Sequence, residues 1–492
     1  MSDILRRGRL ESVPDEEIME YTTSLKADRW IFDADILVDF AHTVMLTEQG
    51  IIKQSDSGSI LKGLLQVREE GIDRLDHSYE DIHIALEARL IDLVGEDVGG
   101  RMHSGRSRND EVATCIRLRL REELLGMMEE LVHIRAVLLE LAGKHRETLM
   151  PGYTHLQHAQ PTTMAHHMMA HQQALGRDLE RAIDCFARVN RSPLGAAAFA
   201  STGFSINRER TRELLAFNEI IENSMDAVSS RDFLIETASV ISCIMINLTR
   251  IAEELVVWSS TEFSFIELSD QYASTSSIMP QKKNPDTAEL LRGKSGVATG
   301  SLIALLTICK GLPLSYNRDL QEATPHIWNS VLTCRASLRV AAGMLASMKI
   351  NEDILAEQST TGFTTATELA DTLVRECDIP FRTAHQIVGQ LARMENEPDI
   401  SDIETAGKDI LGESLIKRGL TEQMVKEALD PMLNIKRRNN IGGPNPEEIG
   451  NSIARVREQL LVEERKVAKI SENIDDALAN LMKSVNEFTK DN

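Results

Sequence analysis

Residues 112–149 read VATCIRLRLREELLGMMEELVHIRAVLLELAGKHRETL, a long run without proline. Leu118, Leu125, Met128, Leu131, Val132, Leu138, Leu139 and Leu141 give it broad apolar cover, with arginine and glutamate between them. Three- and four-residue spacing of this kind predicts an amphipathic helix of many turns. The same pattern predicts long helices over residues 162–191, bounded by Pro161 and Pro193, and over 232–258, 285–309 and 325–348. Aromatic residues make up only 4% of the chain. Five long helices with substantial connections therefore predict an all-α, mainly helical fold around a long five-helix bundle.

Shorter elements precede the bundle, ending near Asn109. Behind it, short helices are expected, separated by Pro380, Pro398 and the Gly442-Gly443-Pro444 turn. The expected division is an N-terminal helical domain over 1–110, a central bundle over 111–358 and a small C-terminal helical domain over 359–492. A chain of 492 residues with 42% hydrophobic and 26% charged side chains can fill several cores.

Charge narrows the partners. The 76 acidic and 54 basic side chains leave a formal charge of −22, which repels nucleic acid and anionic membrane over most of the surface. An anionic ligand then needs a local cationic pocket. Cys115, Cys185, Cys243, Cys309, Cys334 and Cys377 show no CxxC or metal-type spacing and read as reduced thiols of a cytoplasmic protein. Arg6, Arg7, Arg9, Glu11 and Asp15 break up the apolar run that a signal peptide requires. The most apolar charge-free stretch, 295–309, is shorter than the roughly 20 residues that span a bilayer, so no membrane segment is expected.

Polar clusters sit between the helices. Residues 275–286, TSSIMPQKKNPD, join a hydroxyl-rich loop, two lysines and a helix start. Asn284 suits an N-cap and Pro285 the first helical position, while Asp286 and Glu289 bring carboxylates to the first turn. Unpaired N–H groups and the positive end of the helix dipole then lie beside the lysines, which makes an anion-holding loop. A solvated turn capping a helix is the simpler alternative. Residues 99–110, GGRMHSGRSRND, offer glycines for close backbone approach and forked arginine donors for carboxylates; the alternative is that the arginines pair with Asp110 and Glu111. Residues 151–161, PGYTHLQHAQP, place His155 and His158 in a polar turn, where a histidine transfers protons near neutral pH or is merely structural. His167 and His171 form an i, i+4 pair, but no carboxylate or cysteine nearby in sequence completes a metal set, and packing is the expected role. Residues 312–322, LPLSYNRDLQE, form a further polar connection.

Helix length separates these clusters. At 1.5 Å per residue, a helix over 112–149 holds Asn109 about 57 Å from His155. In an up-and-down bundle His155 and Ser276 fall at one end, and Asn109 and Tyr316 at the other. A site using both needs an oligomer of antiparallel neighbours.

Taken in order, the clusters resemble the fumarase/aspartase superfamily and, within it, the argininosuccinate lyase family. The superfamily pattern G-S-S-x-M-P-x-K-x-N matches residues 275–284 at every position but the first, and Gln281, Lys283, Pro285 and Asp286 are similar to the argininosuccinate lyase version. Residues 103–110 resemble H-T-G-R-S-R-N-D with Ser104 for threonine, 152–157 match G-Y-T-H-L-Q, and 80–83 match E-D-I-H. Residues 21–31, 366–374, 380–382 and 442–443 extend the likeness over nearly the whole chain. The resemblance implies reversible elimination of argininosuccinate to arginine and fumarate. It further implies a homotetramer with a twenty-helix core and composite sites, and neither metal nor organic cofactor.

Residue roles follow the same resemblance. Ser276 is implied as the base, and His155, oriented by Glu289, as the acid or proton carrier, with the reverse assignment open. Lys282 and Asn284 stabilise the dianionic intermediate beside the helix N-terminus. Ser24, Asp28, His83, Ser107, Arg108, Asn109, Thr154, Tyr316 and Gln321 are implied to position substrate. Two departures stand out. Thr275 replaces a glycine, and Thr324 replaces the substrate-binding lysine of many members. A lyase for another succinyl compound and a non-catalytic crystallin-like protein are the competing readings; retention of His155, Ser276, Lys282 and Glu289 disfavours the latter.

Overall fold

A computed structural model of the chain describes residues 15–394 and 396–490. The leading arginines, Arg6 to Arg9, lie outside the described residues. Three helices of the N-terminal region, α1 (Phe32–Glu48), α2 (Gln54–Glu70) and α3 (Ile82–Val94), precede the bundle. Its five members are α4 (Arg108–Lys144), α5 (Met164–Val189), α6 (Asp232–Trp258), α7 (Asp286–Cys309) and α8 (Ala323–Ser347). A last helix, α9, runs from Pro446 to Lys490. The all-α reading holds, and among the described residues no helix is long and apolar enough to cross a membrane.

Local chemistry moves two helix starts. The Ser107 hydroxyl accepts the N–H of Asn109 (3.3 Å) while the Asp110 carboxylate accepts the N–H of Ser107 (2.9 Å), so a capping box begins α4 four residues before the expected Val112. Arg108 and Asn109 thereby occupy its first turn. At α7 the expected N-cap is displaced: Pro285 caps the helix without a side-chain bond, because Lys283 and Asn284 form a strand, β4 (Lys283–Asn284), paired to β3 (Ser274–Thr275). The polar turn before α5 is likewise ordered, as an antiparallel ladder of β1 (Leu149–Thr154) with β2 (Gln157–Thr163).

α4 packs on α5 and α8, α6 on α5, α7 and α8, and α7 on α8. These antiparallel neighbours place the loops before α4, α6 and α8 at one end, and the two hairpins at the other. Trp30 stacks on Trp328 of α8 at 5.2 Å between centroids and ties the N-terminal region to the bundle.

The segment expected to be short helices is divided. Residues 366–429 gather a separate core around Leu369, Leu373, Ile387, Leu391, Ile403 and Leu415. In contrast, residues 446–490 form one helix of 45 residues whose buried Ile453, Leu460, Val467, Ile474 and Leu481 recur every seventh position. That narrow heptad seam lies along α4, α2 and α1, with an Arg135–Glu463 ion pair beside it. The Gly442-Gly443-Pro444 turn therefore returns the chain to the first core.

Candidate active site

A cavity of about 210 Å³ opens at the end of the bundle where α4 begins. Its lining includes Ser24, Asp28, His83, Ser107, Arg108, Asn109, Tyr316 and Gln321, which the segment before α1, the start of α3, the start of α4 and the loop before α8 deliver together. Thr324 lies among them. The buried Asp28 carboxylate accepts the Ser24 hydroxyl at 2.6 Å and the Ile82 N–H at 3.4 Å. Burial pushes this carboxyl up to about 6 against the opposing charge of His83.

His83 is the cation beneath the cavity. Its Nδ1 lies 2.9 Å from Asp35 Oδ2, and both side chains are almost wholly buried. Burial opposes protonation, yet the Asp35 carboxylate lifts the imidazole to about 10. Arg106 balances the remaining buried acids, pairing with Asp39 and, at 2.9 Å, with Glu111. The alternative role for the arginines of residues 99–110 is thus realised by Arg106 alone. Arg108 pairs with Asp81 on the cavity wall, and Asp110 accepts the N–H groups of Gly195 and Ala197 at 2.8 Å each.

Two cations of the cavity escaped the sequence reading. Arg231, buried just before α6, donates to the carbonyls of Val228 (3.2 Å) and Ser230 (2.9 Å). Arg318 pairs with Glu80, which also lines the cavity, and donates to the Thr22 carbonyl at 2.7 Å, where Gln321 Nε2 donates too, at 3.1 Å. Both line the same cavity as Thr324. Arg318 lay inside the 312–322 connection; for Arg231 the only signal was a cation at the start of a helix entering from that end.

Thr154, His155, Ser276, Lys282, Asn284 and Glu289 stand at the other end, beyond the 37 residues of α4, or about 55 Å. His155 and Leu156 form the two-residue tip of the β1–β2 hairpin, each with φ of +57°, a left-handed geometry that favours Asn-Gly in such turns. Thr154 and His155 are exposed there. Neither His155 nor Glu289 has a side-chain hydrogen bond or ion pair among the described residues. Within the β3–β4 hairpin, Ser276 Oγ accepts the N–H groups of Met279 (3.1 Å) and Ile278 (3.4 Å). Lys283 is held by Glu267 (3.0 Å) and Asp270 (2.7 Å), whereas the Lys282 ammonium is exposed and has no partner among the described residues.

The candidate residues therefore fall into two groups at opposite ends of one chain. The cavity end offers hydrogen-bond donors and cations, with Arg108 and Arg318 paired to Asp81 and Glu80 of the same lining; the hairpin end offers a hydroxyl, an imidazole, a carboxylate and a lysine.

Sequence and structure comparisons agree on the kinship. The profile of the family described as Lyase matches residues 8–300, and that of the argininosuccinate lyase C-terminal family matches residues 363–436. The argininosuccinate lyase of Methanosarcina mazei is 68% identical over 490 residues, covering 100% of both chains. Among solved structures, EDDS lyase in complex with formate superposes with a TM-score of 0.88 at 32% identity, over 100% of this chain and 99% of that one. A fumarate lyase from Mesorhizobium sp. BNC1, at 19% identity, shares the fold with a TM-score of 0.70 over 90% of this chain and 99% of that one.

Proposed function

The chain belongs to the argininosuccinate lyase family and is a carbon–nitrogen lyase that reversibly splits argininosuccinate into L-arginine and fumarate; from that premise we propose that its two half-sites complete each other between subunits. The observation that carries this reading is the segregation of the site residues. Eight substrate-positioning candidates line one cavity, while half-buried Ser276 and exposed His155, Lys282 and Glu289 stand at the far end of a helix of 37 residues. A second copy running antiparallel brings the hairpins of one chain to the cavity of another. The surface of α7 supports such packing. Leu290, Val297, Ile303 and Leu306 are exposed along it, and Gly293, Gly296 and Gly300 leave open space for a neighbouring backbone. Four chains joined through these faces give a twenty-helix core. Sedimentation tests this: a monomer with full turnover would overturn the composite site.

Elimination must remove a weakly acidic proton beside a carboxylate, hold the dianionic intermediate, and protonate the departing guanidino nitrogen. We assign the first task to Ser276. The N–H groups of Met279 and Ile278 that point at its Oγ favour the alkoxide, as does the nearby Lys282. Lys282 and Asn284, at the start of α7, hold the intermediate. His155, set by Glu289 when the half-sites meet, carries the proton to or from the leaving group. In the cavity, Asn109, Ser107, Thr154 from the facing hairpin and Gln321 hydrogen-bond substrate, Arg108 and Tyr316 reach its carboxylates, and Ser24, Asp28 and His83 complete the wall. Arg231 and Arg318 supply the positive charge absent at Thr324.

The setting we infer is cytoplasmic arginine biosynthesis, in keeping with the six unpaired cysteines. Release of fumarate, followed by its ultraviolet absorbance with argininosuccinate as substrate, tests the activity. Turnover of another succinyl amine in its place would overturn the substrate assignment.

A further inference from the structure

The histidine pair that lacked a carboxylate in the sequence acquires one in the fold. His167 and His171 stand one turn apart near the start of α5, and Glu254 reaches them from the last turns of α6. Its Oε2 lies 2.7 Å from His167 Nε2 and 2.6 Å from His171 Nε2. The two rings are 5.4 Å apart, and Trp258 packs edge-on against His167 at 4.9 Å. The side chains are 27%, 8% and 32% exposed, so solvent reaches the group.

Two other acidic groupings differ in kind. Asp35, Asp39 and Glu111 are buried and already balanced by Arg106 and His83, as is Asp35 beside His83 and Cys115. Glu254, by contrast, faces only the two imidazoles, and Arg292 is committed to Glu253. Two imidazole nitrogens and one carboxylate oxygen within 4.8 Å of one another, and partly open to solvent, are a donor set of a first-row divalent metal. Present separations are those of hydrogen bonds. Ligand bonds of about 2.0–2.2 Å require each side chain to withdraw by less than about 1 Å, with each Nε2 freed of its proton and each neutral imidazole keeping one proton on Nδ1.

We propose that His167, His171 and Glu254 bind one divalent first-row transition metal ion per chain, with Zn²⁺ the best match, clamping α5 to α6 apart from the elimination chemistry. Full-length protein freed of metal with a chelator is titrated with ZnCl₂ by calorimetry, and with CoCl₂ by tryptophan fluorescence, which Trp258 reports. The expected result is one Zn²⁺ per chain, a raised melting temperature and quenching by Co²⁺. Glu254→Gln should weaken binding at least about 10-fold, and the double variant H167Q/H171Q should abolish both binding and quenching while remaining folded by circular dichroism. A folded wild type that retains no zinc overturns the proposal, and so does a double variant that binds the same number of ions. Should the double variant not fold, Glu254→Gln with unchanged affinity overturns it equally.

Discussion

His83 Nδ1 lies 2.9 Å from Asp35 Oδ2, with both groups shut away from solvent directly under the candidate substrate cavity. Such a pair is held by mutual need: separating two charges buried at this depth leaves one uncompensated. The imidazolium is thereby fixed as a cation facing the cavity from below, and its Nε2 is buried without a protein partner. The same pair links the candidate cavity to stability.

The folded-state value of His83, about 10, lies above the 6.5 of the free side chain. Its stabilisation is therefore full below about 6.5 and drains away as pH rises toward 10. Melting temperature should fall across that window, reflecting a loss on the order of a few kcal/mol. Asp35→Asn should destabilise the protein at neutral pH and flatten the slope. A wild-type melting temperature constant over the window would show that the pair does not contribute.

Leu481 is fully buried in the seam of α9, whereas Leu461 on the same helix is 46% exposed. Leu481→Ala should cost about 2–5 kcal/mol and Leu461→Ala less than about 0.5 kcal/mol. Thermal denaturation of the two variants compares them directly. Equal losses would mean that α9 is not held by its heptad face.

The bundle was legible because long helices write their period in leucines and arginines, and α6 begins and ends where the spacing predicts. Boundaries failed where side chains outside the apolar pattern intervened: the Ser107–Asp110 capping box lengthened α4, and pairing of Lys283 and Asn284 delayed α7. The length of α9 was missed although Ile453, Leu460, Val467, Ile474 and Leu481 repeat every seven residues, because prolines and glycines upstream suggested short elements. Motifs carried most of the candidate site. Arg231 and the Glu254 partner of His167 and His171 belong to no local pattern, since only packing between helices distant in sequence brings them into place.

Arg318 lines the same cavity as Thr324, paired there with Glu80. If it replaces the missing lysine in binding substrate carboxylate, Arg318→Gln should raise KM about 10-fold with kcat nearly unchanged. Adding Thr324→Lys to that variant should restore affinity. Steady-state fumarate release measures both, and an unaltered KM in Arg318→Gln would assign the charge to another group.

Ser276 and His155 make separable predictions. Ser276→Ala should lower kcat about 10²–10⁴-fold with little change in KM, as removal of a proton-transfer group does. His155→Asn should do the same, while Lys282→Met should act through the intermediate and lower kcat as well. Near-normal turnover in the serine variant would take Ser276 out of the chemistry and leave His155 as the base.

The proposed half-sites predict complementation. Asn109→Ala damages the cavity half, and Ser276→Ala the hairpin half, on surfaces that α4 holds about 55 Å apart in one chain. Each homo-oligomer should be nearly inactive. Subunits mixed under mild denaturation and reassembled should regain activity, because some sites then take an intact cavity from one chain and an intact hairpin from another. Sites confined to a single chain would always carry one lesion, so mixtures no more active than their parents, in oligomers shown to have exchanged subunits, would exclude sharing.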